Sequence, residues 1–176
     1  RHDVAKVLDF GIVKDISGGT EAQLTSEGTF TGTPLYVPPE AWSTPEKIER
    51  RMAAFRPELV GITSVTLNHH IASFIAEVVR KCDERVPIAM GGPHVSFEIE
   101  GSFRDLPALD FVGIGEGEQT LVELARALDG GMDLRDVRGL ALRDGEHVVR
   151  TAARPFEDDL DRLPAPARDL VPLARY

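Results

Sequence analysis

Cysteine is almost missing from this chain: Cys82 stands alone among 176 residues. A single thiol excludes an internal disulfide and an iron–sulfur cluster held by three cysteines of this chain, and it fits a reducing, cytoplasmic compartment. No apolar run approaches the ~20 residues of a membrane span. The first residues, Arg1-His2-Asp3, carry no signal-peptide apolar core. An excess of positive charge is lacking too. Twenty Lys and Arg face 29 Asp and Glu, for a net charge of −9. That balance offers no basic footprint for nucleic acid and reads as solubility. Neither nucleic acid nor membrane is therefore expected as a partner. The initiator methionine is also missing, which points to a fragment or a processed chain.

What is present is the composition of a globular protein, 42% hydrophobic and 28% charged, at a length for one domain or one domain plus a fragment. Composition changes near Trp42. Residues 1–42 are rich in Gly, Thr and Ser, with one short apolar signal at Val4–Phe10. Residues 43–153 alternate helical and strand-like segments. Residues 154–176 are rich in Pro, Asp and Arg and read as extended.

Ser43-Thr44-Pro45-Glu46 reads as a helix start, and Ile48, Met52 and Phe55 then share a face until Pro57 stops the helix. Leu59–Thr63 is a short buried strand. Ile71, Phe74, Ile75, Val78, Val79 and Cys82 form the apolar stripe of the clearest helix, with Cys82 expected in the core. His69 and His70 open that helix and read as solvated cap positions. Pro87–Met90 and Leu109–Ile114 are further strands with a short helix between them. Leu121, Leu124, Ala125 and Leu128 mark a last helix. The order predicts an α/β fold with a parallel sheet and right-handed crossovers. Asp144-Gly145, between Gly139–Arg143 and His147–Thr151, adds a C-terminal β-hairpin.

Ligands of open parallel sheets bind at the carboxyl ends of the strands. Three loops fall there: Thr63–Asn68, Gly91–Ser96 and Gly115–Thr120. Their glycines allow close backbone approach, and their short hydroxyls offer hydrogen bonds at small steric cost. Each loop alone is equally well a turn or a helix cap; three on one edge favour a ligand site. No catalytic residue and no metal ligand is assigned. The pair Glu116 and Glu118, with no nucleophile or metal beside it, reads as helix N-terminal charge rather than acid–base machinery.

The segments PELVGITSVTLN (57–68), PIAMGGPHVSF (87–97), DFVGIGEGEQTLVELARAL (110–128) and VRGLALRDGEHVVR (137–150) resemble, in order and spacing, the cobalamin (B12)-binding domains of radical SAM proteins. The segment 154–176 resembles the linker into their catalytic barrel. The resemblance implies a Rossmann or flavodoxin-like sheet, a corrinoid ligand and a radical SAM catalytic domain as partner, the chain itself not being catalytic. It further implies that Ser64, Val65, Thr66 and Asn68 meet the dimethylbenzimidazole tail. Gly91, Gly92, Pro93, His94 and Val95 make room for the nucleotide loop, and Gly115, Glu116, Gly117, Glu118 and Thr120 face the ring's side chains. The Asp-x-His-x-x-Gly signature of the wider cobalamin group is absent, so no protein imidazole is implied beneath the cobalt. His94 reads as a loop-positioning or corrin-contacting residue.

Residues 4–15 (VAKVLDFGIVKD) and 24–42 (LTSEGTFTGTPLYVPPEAW) resemble a different family, the Ser/Thr protein kinases, from a DFG triplet at Asp9-Phe10-Gly11 to an APE-like Pro38-Pro39-Glu40. The phosphate-covering loop, the strand lysine and the catalytic loop of a kinase are missing, so no phosphotransfer is expected. A remnant of that lineage, with Thr25, Thr29 or Thr31 as phosphate acceptors, is the alternative reading. By the first resemblance, an opening strand, helix and strand should precede residue 43. Their replacement predicts a sheet incomplete at its N-terminus and weakened cofactor binding. Val4–Leu8, apolar and β-prone, is expected to dock beside Leu59–Thr63 in place of the missing strand, and residues 18–39 to form a mostly irregular excursion.

Overall fold

Strand Leu59–Thr63 (β4) turns Val60 and Ile62 to one face of the sheet and Leu59, Gly61 and Thr63 to the other, and that division organises the domain. The computed structural model describes residues 7–9, 23–24, 30–31, 44–159 and 161. Their six-stranded sheet runs β1-β4-β5-β6-β7-β8, with β1 Val7–Asp9, β5 Ile88–Gly91, β6 Phe111–Gly113, β7 Leu140–Asp144 and β8 His147–Arg150. β1, β4, β5 and β6 are mutually parallel, and β7 and β8 add antiparallel. This is the expected flavodoxin-like α/β architecture with a C-terminal hairpin. Val7, Leu8 and Asp9 pair with Leu59, Val60 and Gly61, the position expected for the surrogate strand; residues 4–6 lie outside the described residues.

Helices cover the two sheet faces unequally. On one face lie α1 (Pro45–Phe55), α2 (His69–Cys82), α3 (Pro93–Phe97) and α4 (Ile99–Asp105). Ile48, Met52, Ile75, Val79, Val95 and Phe103 from these helices pack with Val60, Ile62, Ile88, Met90 and Val112 of the strands. On the other face α5 (Glu118–Leu128) packs through Leu124 and Ala127 against Ala89, Phe111, Leu140 and Leu142.

Helix ends follow local chemistry. Thr44 is the extended cap before Pro45; Arg56 adopts a left-handed φ of 49° and closes the last turn onto the Met52 carbonyl. One short helix was expected between β5 and β6, and two are found. Glu98, at φ −116° and ψ 53°, leaves helical space and separates them. Three apolar positions also depart from the expected stripes. Phe55 ends α1 and is 42% exposed. Cys82 ends α2 and is exposed, not core; partial desolvation and then the nearby Glu49 carboxylate push its thiol pKa up. Leu121 on α5 is 40% exposed while Thr120 is buried.

At the amino end of the sheet, Arg80 of α2 binds the Glu84, Val86 and Ala108 carbonyls at 2.6, 3.0 and 2.9 Å and Asp110 Oδ2 at 2.5 Å. Asp110 Oδ2 also accepts the Ile88 N–H at 2.8 Å, which ties the start of β5 to the segment leading into β6. The described residues form two compact units, 7–9 with 44–154, and 23–24 and 30–31 with 155–159 and 161. In the second unit, β2 (Gln23–Leu24) and β3 (Phe30–Thr31) form an antiparallel pair. The rest of the 18–39 excursion, and the DFG-like residues Phe10 and Gly11, lie outside the described residues.

Candidate functional site

On the α5 face, side-chain size falls along β4, β5 and β6 to a glycine at or near the carboxyl end of each. Leu59 is followed two residues later by Gly61, Ala89 by Gly91, and Phe111 by Gly113. Period-2 alternation puts each pair on one face, and the register sets Thr63 beside Gly91. The sheet therefore drops away beneath the first turns of α5. The result is a cleft of about 250 Å³ lined by Gly61, Thr63, Ala89, Gly91, Gly113 and Gly117 and walled by Thr120, Leu121, Leu124 and Leu140. A Cβ built at Gly91 meets no atom within 4 Å, so a side chain there enters the cleft. The half-exposure of Leu121 now has a cause: its side chain forms a wall.

The turns after β4, β5 and β6 share one rim. Ser64, fully buried, donates its N–H to the Gly91 carbonyl at 2.8 Å, and its own carbonyl accepts the His94 N–H at 3.3 Å. Gly92 sits so close to it that a Cβ would lie 2.5 Å from the Ser64 oxygen; its φ of +103° also belongs to glycine. Ser96 Oγ joins the second turn to the third, donating to the Gly113 carbonyl at 3.4 Å and accepting the Gly115 N–H at 3.2 Å.

The histidines are built into this rim. His69 Nδ1 lies 2.9 Å from Ser64 Oγ, and its ring stacks on His94 with centroids 3.9 Å apart. His94 Nδ1 in turn lies 3.3 Å from Thr66 Oγ1. His69 is thus half-buried in the site rather than a solvated cap, while His70 is exposed. Partial burial, and then repulsion from His94, hold the His69 pKa below its ordinary value, with Asp105 opposing and His70 adding to the depression.

Among the residues singled out from sequence, Gly91, Gly92, Gly117 and Thr120 line the cleft. Ser64, Thr66 and His94 form the rim. Asn68 Oδ1 accepts the Val65 N–H at 2.9 Å and shapes the first turn. Pro93 starts α3, and Val95 is fully buried in the core of the α1–α4 face. Gly115, Glu116 and Glu118 are exposed on the third turn. The strand residues Gly61, Ala89 and Gly113 and the α5 residues Leu121 and Leu124 were not among those assigned. Glycine inside a strand run is itself a sign of close approach, and Gly61 and Gly113 carried it. No group of three His, Cys, Asp or Glu able to hold a metal occurs among the described residues. Nor is any described helix long and apolar enough to cross a membrane.

A family model described as a B12 binding domain matches residues 34–125. It begins inside the stretch read as kinase-like. An uncharacterized methyltransferase of Pyrococcus horikoshii is 36% identical over 73% of this chain and 28% of its own length. An anaerobic magnesium-protoporphyrin IX monomethyl ester cyclase of Cereibacter sphaeroides is 32% identical over 67% of this chain and 20% of its own length. The chain thus spans less than a third of either relative. Among solved structures, the cobalamin-dependent S-adenosylmethionine radical enzyme OxsB, with aqua-cobalamin and S-adenosylmethionine bound, superposes with a TM-score of 0.57 at 24% identity, over 64% of this chain and 16% of that one.

Proposed function

The chain belongs to the B12-binding domain family, and from that premise we propose that it is the cobalamin-holding module of a B12-dependent radical SAM protein. The observation that carries this reading is the stepped sheet face under α5. At about 250 Å³ the cleft is smaller than the ~300–1,000 Å³ pockets that enclose a drug-sized ligand. It admits a bicyclic base and leaves a macrocycle to lie on the rim. Cobalamin has both parts.

On this reading the dimethylbenzimidazole tail enters between the glycine row and the Leu121 and Leu124 wall. Ser64, Val65 and Thr66 meet it from the first turn. Gly91 and Gly92 leave space for the nucleotide loop, and the Gly115–Thr120 turn faces the ring's amide side chains. His94, hydrogen-bonded to Thr66 and stacked on His69, orients the rim rather than ligating metal. When bound, the cobalt supplies a centre able to carry a methyl group. The chain's own part is to bind the tail, seat the ring and present one ring face outward.

Residues 43–153, joined in the sheet by Val7–Asp9, are the corrinoid domain proper. Residues 154–176 lead toward a radical SAM catalytic domain that the whole protein supplies. Substrate and reaction belong to that partner. The test is titration of the purified chain with hydroxocobalamin, followed by visible absorbance and equilibrium dialysis. Saturable binding, with corrinoid retained through gel filtration, is expected. Failure to retain it, in a chain whose circular dichroism shows the α/β fold, overturns the reading.

A further inference from the structure

Arg154, the last residue of the first unit, has a nearly buried side chain, 11% exposed. A guanidinium offers five N–H donors, and all five are used. Nε donates to Thr120 Oγ1 at 2.9 Å. Nη1 donates to Gln119 Oε1 at 3.0 Å and Glu123 Oε1 at 3.2 Å. Nη2 donates to Glu123 Oε2 and, at 3.0 Å, to the Arg138 carbonyl. The acceptors fall into two groups, the first two turns of α5 and the backbone just before β7. Thr120 Oγ1 reinforces the junction by donating to the same Arg138 carbonyl at 3.1 Å.

This clamp stands where α5 packs less deeply than it does farther along. Farther along α5, Leu124 and Ala127 are buried against the sheet. At its start, Gly117 precedes the helix, Leu121 and Val122 are 40% and 50% exposed, and the sheet opposite is glycine. Thr120, Leu121 and Leu124 are cleft wall. Leu124 anchors the far end of that wall to the sheet, and the polar junction holds its near end, at Thr120.

We propose that Arg154 is a positioning residue for the corrinoid's nucleotide tail, setting the width of the cleft by pinning the start of α5 to the β7 side of the sheet. The inference rests on the reading that the tail enters this cleft. It adds a residue outside the three turns, held to α5 by contacts 31 to 35 positions away in sequence.

The test uses the full chain as wild type, Arg154→Ala and Arg154→Lys, with two probes: cobalamin, and cobinamide, which lacks the nucleotide tail. Arg154→Ala should weaken cobalamin binding by about tenfold or more, the loss of several charge-assisted hydrogen bonds. Cobinamide binding should stay within about twofold of wild type. Arg154→Lys, keeping the charge but not the planar fork, should fall between them. Without any corrinoid, amide exchange of residues 121–124 should quicken in Arg154→Ala while that of α2 does not. Unchanged cobalamin affinity in the folded Arg154→Ala protein overturns the proposal, as does an equal loss for both probes. Unchanged α5 exchange overturns it as well. A wild type that binds neither probe removes the cobalamin reading and this proposal with it. A wild type that binds cobalamin, with variants that match it, removes this proposal alone.

Discussion

The two faces of one sheet are built from alternate residues of the same strands and do opposite things. Toward α1–α4 point Val60, Ile62, Ile88, Met90 and Val112, all in one buried cluster. Toward α5 the same strands step down through Gly61, Gly91 and Gly113 to a cleft. Among the described residues, α1–α4 pack on the first face, and α5 partly covers the second. Stability and recognition are thus separated here by a shift of one residue in sequence. A strand can therefore lose one property without the other, and β5, with Ile88 and Gly91 on opposite faces, is the place to show it.

The largest effects are expected from that pair. Ile88 is fully buried, so Ile88→Ala should lose ~2–5 kcal/mol of folding stability through lost burial and a cavity. Once folded, that variant should still bind cobalamin. Gly91→Leu should do the reverse. Nothing stands within 4 Å of a Cβ at Gly91, so the urea midpoint should stay near wild type. The added side chain fills the cleft and should cut cobalamin affinity by roughly a hundredfold or more. Urea unfolding and equilibrium dialysis on both variants decide it. Loss of stability in Gly91→Leu with affinity intact would break the comparison.

A mixed outcome is expected at Gly92, where the two roles meet. Alanine there must adopt φ +103° and place its Cβ 2.5 Å from the Ser64 oxygen. The strain and the clash together should cost about 1–3 kcal/mol. They should also free the Ser64 N–H from the Gly91 carbonyl, read as faster exchange of that amide. If Gly92→Ala melts with wild type and Ser64 stays protected, the first two turns are not held by this contact.

Much of this division was legible in the sequence, because periodicity reports burial. From residue 44 on, the order of strands and helices follows from apolar spacing and turn residues, except that one helix is expected where Pro93–Phe97 and Ile99–Asp105 form two; the three turns and the hairpin at Gly145 follow in the same way. The cleft walls did not follow. A small residue at 61, 89 or 113 is only a weak strand position until α5 is known to cross above it. Cys82 continued the helical stripe by one position beyond the end of the core, which no spacing rule detects. Arg154 reads in sequence as part of an extended tail because its partners on α5 lie more than thirty residues upstream. Val95 shares a segment with Gly91 and Gly92, yet it begins the helical side and turns into the opposite core.

The smallest effect expected concerns pH, and it sharpens the contrast between the rim and the packed face. His69 is pressed toward its neutral form by partial burial and by His94 stacked against it; His70 adds to this and Asp105 opposes it. Its folded pKa is therefore depressed relative to the unfolded chain, which takes up the proton more readily. Stability from this group is complete above the ordinary imidazole value of about 6.5. It is lost as pH falls through that value toward the folded pKa. One group can give a slope of at most ~1.4 kcal/mol per pH unit, and solvent contact at His69 keeps the observed slope to a fraction of that. Urea unfolding from neutral to mildly acidic pH should show the decline in wild type, a shallower one in His94→Asn and none of this component in His69→Asn. A His69→Asn protein that loses stability over the same range as steeply as wild type would place the titrating group elsewhere. Because the rings hold the first turn to the second, the same protonation loosens the rim before it touches the face packed by Val60, Ile88 and Val112. Exchange at the Ser64 amide should therefore rise with acid before exchange at Ile88.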